Sequence, residues 1–207
     1  MELKEYQQKA LKQVKHYLQF LIEWKEKTKE LPDVDFTELA WKKSEVDKKF
    51  YSRKNGLEEH LPNFTIKIPT GGGKTFLAVK TIDLINEIYL RKQTGLVVWI
   101  VPTTQIYNQT IKNLRDKDHP YRQHLDIASS GRTLIKEKTD KFNPTDIAEN
   151  LVVLMLMLPS ASRSKKEELR MFRDNGKFQS FFPDEDDIKR QEEFLKTFPN
   201  LHTYQDL

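Results

Sequence analysis

The chain has no cysteine. That excludes disulfides, iron–sulfur clusters and cysteine-based zinc sites, and it fits a reducing cytosol. Long apolar runs are missing too. The longest, LVVLMLML at 151–158, falls well short of the ~18 residues of a membrane span and suits a buried strand instead. No membrane partner is therefore expected. The start, MELKEYQQKA, has no apolar segment behind a basic tip, so it does not read as a secretory signal. There are no internal repeats and no low-complexity tract. Neither sign of charge dominates. Thirty-five Lys and Arg face 31 Asp and Glu, for a net charge of +4, which permits a nucleic-acid partner without demanding one. What is present is 207 residues, 37% apolar and 32% charged, enough for one large domain and a small appendage under a very polar surface.

Apolar residues recur at three-and-four spacing from Leu3 to about Lys29, which predicts one long helix ended by Leu31-Pro32. A second amphipathic stretch runs from Phe36 to about Tyr51 and stops near Asn55-Gly56. Phe64, Ile66 and Ile68 then alternate with polar residues, so 64–68 reads as a strand. Helical spacing returns from Lys74 to about Arg91. LVVWIV at 96–101 reads as a strand buried on both faces. A helix is expected at about 104–114, a short strand at Leu125 to Ala128, and irregular chain at 131–149. The strongest strand is at 151–158, with helices near 164–171 and 185–197 and a turn at Asn175-Gly176. Strand alternating with helix is the rhythm of a parallel sheet wrapped by helices.

Between the strand at 64–68 and its helix lies IPTGGGKT. A triphosphate needs backbone N–H groups aimed at its oxygens, and side chains would block that approach. Gly71, Gly72 and Gly73 remove the Cβ atoms and permit positive φ. The helix that follows offers free N–H groups and the positive end of its dipole. Lys74 reaches the β and γ phosphates, and the Thr75 hydroxyl ligates Mg²⁺. Thr70 leads into this cradle. The expected ligands are ATP and Mg²⁺.

The usual pattern has glycine where this chain has Ile68. I-P-T-G-G-G-K-T resembles the first motif of superfamily 2 helicases and translocases, and further stretches match that superfamily. LKEYQQKAL at 3–11 resembles its adenine-reading glutamine motif, which assigns Gln7, with Gln8 in reserve, to the adenine edge. WIVPTTQIYNQ at 99–109 resembles the motif after the second strand. This implies that Thr103 and Thr104 contact nucleic-acid phosphate at a helix start, where one of them also serves as an N-cap. Ser130 and Gly131, within SSGR, lie where a second backbone-contacting loop is placed, and they equally form a plain turn. Ser160, after Leu158-Pro159, lies where a third contact falls. Arg163, Lys165, Lys166, Arg170 and Arg173 share their segment with Glu167, Glu168 and Asp174, and read as a solvated, salt-bridged face.

Hydrolysis in this superfamily needs D-E-x-[HD] at the end of a buried strand. The string DEDD at 184–187 has the letters but follows Pro183 directly, and an acidic helix N-terminus accounts for it better. YQQKA, AWKKS, IPTGGGKTFLA, the 150–178 stretch and FFPDEDD together resemble the restriction (Res) subunit of type III restriction enzymes. The resemblance implies an α/β fold: a P-loop NTPase with a RecA-like parallel sheet flanked by helices, incomplete, behind an N-terminal helical segment. Residues 1–60 would be that segment with the glutamine motif, and 61–207 the first RecA-like motor domain, truncated before the D-E-x-H motif. It further implies a DNA-dependent ATPase of the cytoplasm acting on duplex DNA, with a methyltransferase (Mod) subunit as partner. ATP binding by this chain alone should be weak and hydrolysis negligible. Two alternatives remain: a self-contained small P-loop ATPase using Asp184 and Glu185, and a DNA- or protein-binding module with a relic P-loop.

Overall fold

The computed structural model describes residues 2–55, 58–161, 179–184 and 186–197. The chain forms two compact units, Met1–Lys92 and Gln93–Leu207.

The first unit is helical. α1 spans Glu5–Lys27 and buries one stripe, Leu11, Val14, Tyr17, Leu18 and Leu21, at the spacing its sequence predicts. α2 spans Phe36–Lys43. It is half the predicted length, because the chain turns at Ser44 and Glu45 takes a positive φ of 55°. Asp35 caps α2, accepting from the backbone N–H groups of Thr37 and Glu38. Its carboxylate also accepts from the Ser52 and Thr37 hydroxyls and lies 3.3 Å from His60 Nδ1. One acid therefore pins both the helix start and the long loop behind it. α3 spans Lys74–Leu84 and runs into a π-helical turn, Ile85–Leu90. The unit's core is Val14, Tyr17, Leu18 and Leu21 of α1 with Ala40, against which Trp24, Trp41, Phe64, Ile66 and Ile85 pack. Tyr17 sits at its centre, edge-on to Trp41 and Phe64 at 5.5 and 6.0 Å between ring centroids.

Residues 64–68 are not a strand among the described residues. The alternation is there: Phe64, Ile66 and Ile68 are half-buried, and Thr65 and Lys67 are exposed. What is missing is a ladder: among the described residues no strand bonds to this backbone.

The second unit carries a three-stranded, wholly parallel sheet. β1 spans Gly95–Val101, β2 Thr133–Glu137 and β3 Leu151–Met157, in the order β1-β3-β2. Central β3 is buried along six of its seven residues, as its unbroken apolar run requires. β1 is an edge strand and is not buried on both faces: Leu96, Val98 and Ile100 are each more than 40% exposed. α4 (Thr104–Arg115), α5 (Pro120–Ala128) and α6 (Pro144–Glu149) make the crossovers. Parallel neighbours need such crossovers, since a hairpin cannot join them.

Two further regions depart from expectation. Leu125–Ala128 is the end of α5 rather than a strand, because Pro120 stands at the helix start and Leu125 and Ala128 bury one helical face. Residues 131–149 are ordered rather than irregular. They hold β2 and then α6, whose start is a reciprocal cap between Asn143 and Asp146 with Pro144 in the first turn. Buried Arg122 ties these pieces together. It donates to Asp126 at 2.9 Å, to the Leu114 carbonyl at 3.4 Å and to the Thr133 carbonyl at 3.1 Å. After β3 come a short helix, α7 (Leu158–Ala161), a 3₁₀ turn at Gln179–Phe181, and α8 (Ile188–Thr197). The basic segment at 163–173, the helix near 164–171 and the turn at Asn175-Gly176 lie outside the described residues.

Candidate nucleotide site

The glycine loop stands at the start of α3. Gly71 and Gly73 have φ of 74° and 77°, in the left-handed region that glycine enters without strain. Gly73 is the N-cap residue of α3, so Lys74 and Thr75 occupy its first turn, where backbone N–H groups have no helical partner. The loop closes on Pro69, whose carbonyl accepts from Gly72 N–H at 3.0 Å and from Lys74 Nζ at 3.0 Å. Lys74 thus folds back on its own loop through an exposed contact that a phosphate could replace.

Gln7 and Tyr6, on the first turn of α1, meet this loop. Gln7 is buried. Its Nε2 donates to the Gly72 carbonyl at 2.8 Å, and its Oε1 accepts from Lys4 N–H at 2.9 Å, closing the N-terminus of α1. The Tyr6 hydroxyl donates to the same Gly72 carbonyl at 3.0 Å. A glutamine amide has two hydrogens and two lone pairs, so one of each remains on Gln7 for a further partner. Gln8 is exposed and donates to the Leu3 carbonyl. The approach is close. A Cβ on Gly72 would come within 2.4 Å of the Ile68 side chain, and one on Gly73 within 2.6 Å of Gln7 Nε2. The non-glycine at position 68 and the glycines at 72 and 73 are therefore packed as a set. Beside the loop, Tyr6, Ala10, Tyr17, Trp41, Phe64 and Pro69 help to wall a cavity of about 650 Å³. Gln7 is not in its wall.

Among the described residues no three His, Cys, Asp or Glu side chains converge on a metal position. Mg²⁺ takes most of its ligands from phosphate oxygens and water and needs only one or two from protein. A single Thr75 hydroxyl suits that demand.

In the second unit, register decides which sequence-predicted residues share an edge. Val101 pairs with Met157, so the segments following β1 and β3 leave the sheet at the same, carboxyl edge. Thr103, Thr104 and α7, which carries Ser160, are therefore neighbours, and the Thr104 hydroxyl reaches Met157 Sδ at 3.6 Å. Thr103 caps α4, accepting from Ile106 N–H at 3.3 Å, while Thr104 has no such duty. Ser130 and Gly131 precede β2 and lie at the opposite, amino edge. They close α5: Gly131 N–H donates to the Asp126 carbonyl and Ser130 N–H to the Ile127 carbonyl, with φ of 81° and 52°. The Ser130 hydroxyl donates to Gln93 at 2.8 Å. What sequence reasoning missed on the carboxyl edge is the turn after β2, residues 138–141. There Asp140 accepts from Glu137 N–H at 2.7 Å, and Arg115 bridges Glu137 and Asp140. Burial pushes the Tyr107 hydroxyl up, and its hydrogen bond to Glu137 pushes it further, so it is a neutral donor. The signal for this turn was hidden because β2 itself was not recognised.

Of the DEDD string, Asp184, Asp186 and Asp187 are described. Asp187 Oδ1 accepts from Arg190 N–H at 3.1 Å at the start of α8, as an acidic helix N-terminus does. Glu185 lies outside the described residues.

The family model described as type III restriction enzyme, res subunit, matches residues 1–190. The chain belongs to this family. The Res family implies an ATP-binding, helicase-like region, with ATP and Mg²⁺ as its usual cofactors, hydrolase or helicase activity in full-length proteins, and an interaction with DNA. The RecA-like P-loop class inferred from the sequence agrees with the parallel sheet and flanking helices of this Res-family chain. No curated protein and no solved structure matches the chain. No described helix is long and apolar enough to cross a membrane.

Proposed function

We propose that the chain is the ATP-binding part of a DNA-dependent translocase within a type III restriction endonuclease of the cytoplasm. The supporting observation is the loop: left-handed glycines at 71 and 73, first-turn N–H groups at the start of a helix, and Lys74 held, among the described residues, only by an exposed backbone contact. Thr70 to Thr75 form the nucleotide cradle, Lys74 carries phosphate charge and Thr75 holds Mg²⁺. Gln7 reads adenine with its remaining hydrogen and lone pair. Residues 61–207 belong to the first motor domain and 1–60 to its helical preface. In the whole enzyme, hydrolysis drives movement on duplex DNA beside a methyltransferase subunit.

DNA phosphates meet Thr103, Thr104 and Ser160 along the carboxyl edge of the sheet, where ligands of open α/β sheets bind. A strand of nucleic acid that also met Ser130 and Gly131 would have to cross the sheet's full height, on the order of 20 Å. ATP binding by this chain is weak, and hydrolysis is negligible, because the acid pair that orients metal and water has no candidate but DEDD. Steady-state ATP hydrolysis with Mg²⁺, with and without duplex DNA, tests this. Turnover no greater than that of Lys74→Ala is expected. DNA-stimulated turnover that vanishes in both Lys74→Ala and Glu185→Gln would instead establish a self-contained ATPase.

A further inference from the structure

We infer that Tyr6 is a positioning residue of the nucleotide loop: with Gln7 it holds the Gly72 carbonyl outward and so turns the Gly73 N–H toward the phosphates. The inference deepens the nucleotide-binding reading above and rests on it. A carbonyl oxygen has two lone pairs, and here both are taken, by the Tyr6 hydroxyl at 3.0 Å and Gln7 Nε2 at 2.8 Å. The Gly72–Gly73 peptide is trans, so its N–H points opposite to its carbonyl. Fixing the oxygen against α1 therefore fixes the direction of the Gly73 N–H, which has no acceptor among the described residues. If this peptide flipped, its oxygen would face the phosphate oxygens and repel them. The two donors oppose that flip before any ligand arrives.

Tyr6 is suited to this task. It is 39% exposed, so it is no core residue, and its hydroxyl reaches a residue 66 positions away. The glycine at 73 makes room for the second donor: a Cβ there would sit 2.6 Å from Gln7 Nε2, whereas one at Gly72 would only touch the Tyr6 hydroxyl at 3.4 Å. Glycine at 73 thus serves two approaches at once, phosphate from one side and α1 from the other.

The discriminating property is indifference to the base. Tyr6→Phe deletes one oxygen. Gln7→Glu keeps the acceptor for Lys4 N–H and loses the donor to Gly72. The 207-residue chain and both variants would be titrated calorimetrically with Mg²⁺-ATP, Mg²⁺-GTP and Mg²⁺-tripolyphosphate. The Gly73 amide resonance would be followed in ligand-free protein. Tyr6→Phe is expected to weaken every ligand that binds by the same factor, about threefold to tenfold, and to move the Gly73 amide but not that of Gly131. Loss of ATP affinity in Tyr6→Phe with tripolyphosphate and GTP unchanged would assign the Tyr6 hydroxyl to the base and overturn the inference. Gln7→Glu, which also touches the adenine reader, should weaken tripolyphosphate as well as ATP, and unchanged tripolyphosphate binding there would count against the shared hold on Gly72. An unmoved Gly73 amide would overturn it as well. A wild-type chain that binds none of the three ligands would refute the nucleotide-binding reading itself, and this inference with it.

Discussion

Replacing Gly71 or Gly73 by alanine separates backbone strain from the contact with α1. The two glycines have nearly the same φ, 74° and 77°. An alanine in that region costs about 1–2 kcal/mol at either site. The loss of unfolded-state entropy on Gly→Ala, about 0.4–1 kcal/mol in favour of folding, is also common to both. The difference between the two variants therefore cancels these terms. A Cβ at Gly71 meets nothing within 4 Å, whereas one at Gly73 lies 2.6 Å from Gln7 Nε2. The glutamine end is flexible and swings aside, but in doing so it gives up the buried bond to the Gly72 carbonyl. An abandoned buried polar group costs about 1–3 kcal/mol. Gly73→Ala should thus be about 1–3 kcal/mol worse than Gly71→Ala in urea unfolding, followed by tryptophan fluorescence. Trp24 and Trp41, which pack against the core of the first unit, supply that signal. The excess should disappear when both glycine variants are made on Gln7→Ala, which is the test for a pairwise term. Equal costs for the two glycines, or an excess that survives removal of Gln7, would refute the packing argument.

Other sites offer independent checks. Burial works to raise the Asp35 carboxyl, but the bonds from Ser52, Thr37 and Glu38 outweigh it and leave it below the ordinary value of 3.8. A carboxyl lowered by folding adds stability above its unfolded value and loses it as pH falls through the folded one. Urea midpoints of Asp35→Asn should therefore fall less steeply below pH 4 than those of wild type; parallel curves would contradict this. Thr103→Ala should cost ~1 kcal/mol through its lost cap, whereas Thr104→Ala should stay within ~0.5 kcal/mol and weaken duplex DNA in filter binding. Leu21 is fully buried in the α1 stripe, and Leu21→Ala should cost ~2–5 kcal/mol in chemical denaturation.

What the residues disclosed in advance has a physical pattern. Long periodic or wholly apolar segments were legible: α1, α3, α4 and β3 lie where their spacing places them. So was the glycine loop, whose residue types are set by backbone geometry. Short, half-buried elements were not. β2 is TLIKE, five residues with one fully buried, and its composition does not differ from a polar loop. α5 was hidden because its apolar residues cluster at its end, although His119-Pro120 marks its start. The strand at 64–68 was read from an alternation that is real, while a ladder depends on a neighbour the local sequence cannot specify. β1 reads as doubly buried on composition alone, and its edge position is a property of the sheet. The contact of Tyr6 and Gln7 with Gly72 spans more than sixty residues and has no local signature.

The central claim is that the 68–75 loop binds ATP, and calorimetric titration of wild type and Lys74→Ala with Mg²⁺-ATP tests it most directly. Lys74 is exposed and, among the described residues, bonds only to the Pro69 carbonyl, so the substitution should leave the fold intact. The account predicts weak saturable binding by wild type and at least about a tenfold loss in the variant, the order expected for one charge-assisted hydrogen bond. Equal affinity in both proteins, or none in wild type, would contradict it and leave the loop a glycine turn without a ligand.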